Sequence, residues 1–356
     1  MFVYRTKRFF WPSAHRKAPL DETEFTLIPR VPACKPPAAS IQRAIMETPL
    51  KNVAIIGAGA MGSGIAALFA SKGLDVVLID PMEGALERAL KTIDRQLNVY
   101  APGQVQQAIQ RIRLEPGLEA AAASDLVIEA VPENLDLKRG IFTKLDALCP
   151  AHTVFATNTS GLSINAIASA VLRRDRFVGA HFFTPADVIP LVEVVRNDDT
   201  SEDTVAKVMA TLRFAGKRPV LVRQDIPGFI ANRIQHALAR EAISLLEKGV
   251  ASAEDIDEVV KWSLGIRLAL SGPLEQRDMN GIDVHYAIAS YLYKDLENRT
   301  EPSDLLKSKV DSGQLGAKSG QGFYTWSPER RERVLREKSA ALGELAAWLN
   351  GKAGDS

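Results

Sequence analysis

Four side chains with complementary chemistry occur in a fixed order along the chain. They are the Ser160 hydroxyl in TNTSGL, the His181 imidazole in HFF, the Glu193 carboxylate in LVEVV and the Asn232 amide in PGFIANR. A carboxylate that accepts the proton on one ring nitrogen of a histidine sets its tautomer. It also stabilises the imidazolium formed when the other nitrogen takes a proton. A serine hydroxyl can hold a substrate oxygen, and an amide can polarise the carbonyl that develops there. Upstream lies GAGAMGSG at 57–64, in which Gly57, Gly59 and Gly62 form G-x-G-x-x-G. The first glycine permits a tight turn, the second lets a pyrophosphate approach the backbone, and the third lets helix pack on strand. The helix that follows offers free N–H groups to phosphates. Asp80 lies 18 residues past Gly62. A carboxylate there accepts both ribose hydroxyls and repels a 2′-phosphate, which favours NAD over NADP. The combination points to removal of a hydride from a secondary alcohol.

Each of these residues also has an ordinary structural role open to it. Asp80 precedes Pro81 and can cap a helix. Ser160 can cap SINAIAS, although Ser163 is better placed. Asn232 can face solvent, and a lone histidine at a strand end is more often structural than catalytic. The argument rests on the ordered set.

The elements that must position this set alternate between strand and helix from Asn52 onward, the signature of a parallel sheet covered on both faces. Strands are expected at 53–57, 75–80, 125–131, 153–158, 176–182, 191–195 and 219–223. Helices are expected at 61–73, 83–100, 134–148, 163–170 and 202–214, with 102–123 read as further helix and turn. In 83–100, Leu86, Leu90, Ile93 and Leu97 recur at helical spacing. After Pro227 helical patterns dominate: 229–248, 252–263, 284–295 and 329–349. Ser252 and Asp255 resemble a capping box. The fold class is therefore α/β, a Rossmann-type doubly wound sheet followed by an all-helical C-terminal domain. The expected divisions are an N-terminal extension over 1–48, a dinucleotide-binding domain over 49–226, a helical substrate and dimerisation domain over 227–328, and a last helix and tail over 329–356.

Composition narrows the function. The chain has 356 residues, 46% of them hydrophobic, and a net charge of +1. Residues 1–45 carry eight Lys/Arg against three acids, a net of +5, and the remainder carries 36 against 40, a net of −4. A mildly acidic body argues against nucleic acid as a partner. Two isolated cysteines, Cys34 and Cys149, suggest neither a disulfide framework nor a metal site, and fit a reducing compartment. No run of 18 apolar residues occurs, so no membrane span is expected. Residues 1–48 are expected to be a disordered tail or a spurious extension, because Met46 begins METPLKNVAIIG just ahead of the first strand. The alternative is a mitochondrial transit peptide, since residues 1–20 are basic and free of acids. The first view implies a cytoplasmic protein and the second the mitochondrial matrix.

Taken together, these motifs resemble the L-3-hydroxyacyl-CoA dehydrogenase family over about residues 51–326. The resemblance implies that Ser160, His181, Glu193 and Asn232 are catalytic. It implies that the loop Gly57, Gly59, Ala60, Met61 and Gly62 binds NAD together with Asp80. Glu133 and Lys138 in PENLDLK, Ser160, Thr184 and Lys318 in GAKSGQGFYTW match cofactor-contacting positions. A small-molecule substrate and a homodimer formed through the C-terminal helices are further implications. Two departures stand out. HFFTP replaces the common HFFNP, placing Thr184 where an asparagine usually helps seat the nicotinamide. The segment LALSGPLEQRDMNGID at 268–283 is similar to the branch containing lambda-crystallin and gulonate dehydrogenase, which act on free hydroxy acids. Lys91 and Arg95, on the helix after Asp80, are the candidates for holding CoA, and Arg267 is the candidate for pairing a free carboxylate. An eroded, non-catalytic NAD-binding protein would have lost part of the Ser–His–Glu–Asn set, and all four are present. The other β-hydroxyacid dehydrogenase family uses a lysine that GFIANRIQHALAREA lacks near its start.

Overall fold

The computed structural model describes residues 49–352. The expectations for residues 1–48, Cys34 included, and for the last four residues fall outside them. Eight strands form one sheet: β1 Asn52–Ile56, β2 Asp75–Ile79, β3 Ile112–Glu115, β4 Leu126–Glu129, β5 Val154–Thr157, β6 Phe177–Phe182, β7 Leu191–Arg196 and β8 Arg218–Val222. Their order is β3-β2-β1-β4-β5-β6-β7-β8. All neighbours are parallel except β6 and β7.

The sheet is covered on both faces, which is why its central strands read as unbroken apolar runs. Side chains alternate along β1. Val53 and Ile55 enter a core with Ile65 and Phe69 of α1 (Ala60–Ser71), Ile93 and Leu97 of α2 (Ala85–Tyr100), and Val208 and Leu212 further on. Ala54 and Ile56 enter the opposite core, with Phe142, Phe155, Phe177 and Ile167. The buried stripe of α2 is Ala85, Ala89, Ile93 and Leu97, while Leu86 and Leu90 flank it half-buried. The remaining helices of this half are α3 (Val105–Gln110), α4 (Leu135–Leu148), α5 (Ile164–Ala168) and α6 (Glu202–Phe214).

One strand departs from expectation. β3 lies within the stretch read as helix and turn, paired in parallel with β2. It is a four-residue edge strand in which Arg113 pairs with Glu115 at 3.1 Å. A charged edge that short carries no measurable period.

Helices alone follow: α7 (Ala231–Glu247), α8 (Ala253–Val259), α9 (Pro273–Asn280), α10 (Ile282–Leu292), α11 (Asp304–Asp311) and α12 (Pro328–Lys352). The Ser252 hydroxyl accepts from Asp255 N–H at 3.1 Å and opens α8 as its sequence suggests. A π-helical stretch, Val260–Gly265, and a helical turn, Ile266–Leu268, prolong α8. α9 and α11 were not anticipated. Their starts are marked by Pro273 in the first turn and by Ser303, whose side chain accepts from Leu306 N–H. Beyond Phe229 no hydrophobic side chain among the described residues is buried.

Candidate active site

The sheet reverses its winding between β1 and β4, and ligands of such sheets gather at the carboxyl ends of the strands at that point. A cavity of about 1210 Å³ opens there. Gly57, Gly59, Ala60 and Met61 line it, with Asp80 opposite. The three glycines have three different reasons to be glycine. Gly57 has φ +104°, and a Cβ on it would meet the Ala130 carbonyl at 2.8 Å. A Cβ on Gly62 would meet the Gly57 carbonyl at 1.8 Å. A Cβ on Gly59 would meet nothing within 4 Å, so the room beside it is left for a ligand.

The Asp80 carboxylate accepts from Ala58 N–H at 2.8 Å and from Met82 N–H at 2.9 Å. It thus ties the end of the second strand to the glycine-rich turn beside the cavity. The far wall is apolar: Met82, Leu118, Leu137 and Ile141. Sequence reasoning missed these four because a slot for a flat heterocycle needs only apolar area, which leaves no motif. The only sequence signal is a set of large apolar side chains near strand ends.

His181 and Glu193 are direct partners in the antiparallel register of β6 and β7. The ring Nδ1 lies 2.9 Å from Glu193 Oε2, and both side chains are buried. The other oxygen of Glu193 accepts from Ile230 N–H at 3.0 Å and Ala231 N–H at 2.9 Å, at the start of α7. Gly228 at φ +74° and Phe229 at φ +49° turn the chain so that these donors face the carboxylate. Phe229 is buried and its ring packs on His181 at 5.8 Å, with Phe183 at 4.4 Å. Burial raises a carboxyl pKa, but the His181 contact and the Ala231 and Ile230 donors outweigh it. They hold the Glu193 carboxyl below the usual carboxylate range. The pair therefore presents an ionised carboxylate behind an imidazole.

Ser160 and Asn232 meet across the linker between the two halves. Asn232 Nδ2 donates to the Ser160 carbonyl at 2.8 Å. Ser160 is exposed and donates its N–H to Glu133 Oε1 at 2.8 Å. Capping of α5 falls to Ser163, which accepts from Ala166 N–H at 3.1 Å, so the Ser160 hydroxyl does not serve as that cap. Burial acts to raise the Glu133 carboxyl, but Thr159, Ser160 N–H and Lys138 together hold it below its ordinary value. Thr184 places its hydroxyl 3.1 Å from Met61 Sδ, over the glycine-rich turn.

Lys138 and Lys318 stand apart from the cavity. Lys138 is wholly buried, donating to Glu129 Oε1 at 2.7 Å and the Val131 carbonyl at 3.2 Å, with Glu133 at 3.4 Å. In this geometry it braces the loop that carries Glu133 and does not face the cavity. Buried Glu129, whose Oε2 accepts from Thr157 Oγ1 at 2.6 Å, completes that brace. Lys318 is exposed in the turn after α11 and does not line the cavity. Arg267 turns back on its own helix, donating from Nε to the Ser263 carbonyl at 3.1 Å. Lys91 and Arg95 are exposed on α2. Among the described residues no cluster of His, Cys, Asp or Glu has a metal-binding arrangement, and no helix is long and apolar enough to cross a membrane.

A doubly wound sheet with a glycine-rich turn at its switch point, an acidic residue ending the second strand and an apolar slot beside it defines an NAD-dependent oxidoreductase. The comparisons name the family. The profile of the 3-hydroxyacyl-CoA dehydrogenase NAD binding domain matches residues 52–226, and that of the C-terminal domain matches residues 228–326. The chain belongs to the 3-hydroxyacyl-CoA dehydrogenase family. A probable 3-hydroxybutyryl-CoA dehydrogenase of Bacillus subtilis is 41% identical over 284 residues, covering 78% of this chain and 98% of its own. The 5-formyl-3-hydroxy-2-methylpyridine 4-carboxylate 5-dehydrogenase of Mesorhizobium japonicum is 35% identical over 307 residues, 85% of this chain and 99% of its own. A solved structure of an enzyme of that name, described as an NAD+-dependent dismutase, superposes with a TM-score of 0.80 at 35% identity. It covers 85% of this chain and 99% of its own.

Proposed function

We propose that the protein oxidises an L-3-hydroxyacyl-CoA to the 3-oxoacyl-CoA, with His181 as general base. The observation that carries this reading is the 2.9 Å contact between His181 and a Glu193 carboxylate fixed by two backbone donors. With Nδ1 held by Glu193, Nε2 takes the substrate hydroxyl proton. Bound NAD, held at the glycine-rich turn and Asp80, would supply the acceptor for the hydride that leaves the carbinol carbon. Asn232 commits one amide hydrogen to Ser160 and keeps the second for the developing carbonyl oxygen. The free Ser160 hydroxyl is a second donor to that oxygen.

A second reading, a free carboxylate-bearing substrate, is favoured by the likeness to the Mesorhizobium enzyme, which extends over more of this chain than that to the Bacillus enzyme. We further propose a homodimer through the helical half. Trp262, Ile266, Ile282, Tyr286 and Leu274 are all exposed there, and isolated soluble chains rarely leave so much apolar area uncovered.

NADH oxidation with acetoacetyl-CoA, free acetoacetate and other 3-oxo acids separates the two substrates. Turnover with the thioester alone supports the first reading, and turnover with free acids alone replaces it with the second. His181→Ala should lower turnover about 10²–10⁴-fold, the usual weight of a general base, with NADH affinity nearly unchanged. Retained turnover removes His181 from the chemistry.

A further inference from the structure

The strands that carry His181 and Glu193 are joined by residues 183–190, and that connection is held from beneath by a lysine. Lys217 immediately precedes β8 and is 5% exposed. Its Nζ donates to the Ala186 carbonyl at 2.5 Å and to the Ile189 carbonyl at 2.8 Å. Both acceptors belong to the connection, and no sequence motif singled the lysine out. The same connection sets the Thr184 hydroxyl over Met61 on the glycine-rich turn.

A second charge lies between the two carbonyls. Asp187 has both carboxylate oxygens buried without a well-formed hydrogen bond. Its nearest donors are its own N–H and that of Val188. Burial pushes this carboxyl up, and Lys217 opposes the shift. Burial pulls Lys217 down to about 8, and Asp187 opposes that shift. Gln96 Oε1, on α2, is likewise buried and unpartnered. Gln96 and Ala186 flank Gly64 of α1, where a Cβ would lie 3.2 Å from Ala186 Cβ and 3.7 Å from Gln96 Nε2. The ammonium of Lys217 thus sits in a corner formed by two carbonyls of the connection, with the Asp187 carboxylate acting on its charge.

Burying an ammonium and a carboxylate is costly, and apolar residues of similar volume usually fill such a corner at least as stably. An apolar side chain would fill the space, but it would leave the Ala186 and Ile189 carbonyls without donors and free to shift. We infer that Lys217 is a positioning residue for the reaction: its tethered ammonium fixes the 183–190 connection so that Thr184 stays against Met61 of the glycine-rich turn, at the edge of the cofactor site. This rests on the proposed function, in which the chemistry takes place beside His181 and Glu193. Its readout is NADH affinity, which stays meaningful even if His181 is not the base.

The test uses the full chain and two variants, with NADH affinity measured by fluorescence titration and stability by thermal melting. Lys217→Met leaves Asp187 buried beside no cation, so it should melt lower and bind NADH at least tenfold more weakly. The double variant Lys217→Met/Asp187→Asn removes the stranded charge. Its melting temperature should return most of the way to that of the parent while NADH binding stays at least tenfold weakened. A double variant that binds NADH as the parent does would overturn the inference and leave Lys217 only as the counter-charge of Asp187. If the single variant does not fold, the double variant decides alone.

Discussion

The two halves of this chain treat their apolar residues in opposite ways. In the sheet half, two cores close on either face of β1, and their central side chains have almost no contact with solvent. In the helical half, apolar residues recur at helical spacing, as in Val259, Trp262 and Ile266, and remain exposed. The sheet half satisfies its pattern within one chain. The helical half carries an apolar pattern that one chain leaves exposed, and the proposed dimer is what would cover it.

Matched substitutions would break or sharpen this contrast. Phe155 is wholly buried, packs on Phe142 at 5.8 Å and lies under the Arg176 guanidinium at 4.4 Å. Phe155→Ala should cost about 3–5 kcal/mol in urea unfolding, as other buried phenylalanines do. That loss should be the same at every protein concentration. Trp262 is 71% exposed in the single chain. Trp262→Asp should leave the unfolding of the sheet half alone and convert a dimer to a monomer at micromolar concentration in sedimentation. If the parent protein is already a monomer, the contrast between the halves loses its explanation.

The sheet half was also the more legible in sequence, for a physical reason. Gly57 and Gly62 answer separate backbone requirements and Gly59 leaves room beside the turn, while the His181 and Glu193 strands follow from apolar runs flanking a loop with two prolines. Their pairing gives the 2.9 Å contact without further information. What escaped notice lacks a local signature. Phe229 acts through a left-handed backbone conformation that its residue type does not favour. Lys217 looks like any charge before an edge strand until the fold brings two carbonyls to it. Lys138 shows the converse: a residue matched by motif to a cofactor contact is found sealed beneath the loop it braces. In the helical half α9 and α11 went unread because each has only eight residues and no sustained apolar stripe.

Asp80 tests whether the sheet half holds its ligand as rigidly as it holds its core. Its carboxylate accepts from two backbone donors, which fix its position beside the glycine-rich turn. Asp80→Ala removes charged hydrogen bonds worth about 1.5–3 kcal/mol and should weaken NADH binding by roughly 10- to 150-fold. Discrimination against NADPH should fall with it, because the carboxylate that repels a 2′-phosphate is gone. Unchanged affinity in fluorescence titration would mean that the sheet half organises this corner for its own sake.

The smallest effect compares the two halves through the same local chemistry. Ser163 caps α5 and Ser252 caps α8, each hydroxyl accepting a backbone N–H at 3.1 Å. Loss of such a cap costs about 1 kcal/mol. Ser163 also donates to Asp225 Oδ2 at 2.6 Å, and Asp225 lies in the linker that leads to α7 and so to the donors on Glu193. Ser252 donates only to Asp255 of its own cap. Each substitution removes one cap and one hydrogen bond to a carboxylate, but only that of Ser163 joins residues 62 apart, so Ser163→Ala should cost more than Ser252→Ala in urea unfolding. It should also slow turnover modestly, by loosening the approach of α7 to Glu193, whereas Ser252→Ala should leave turnover unchanged. Equal losses in both variants would show that the Asp225 contact adds nothing beyond what the local Ser252–Asp255 pair adds, and that Ser163 does not help hold the two halves together.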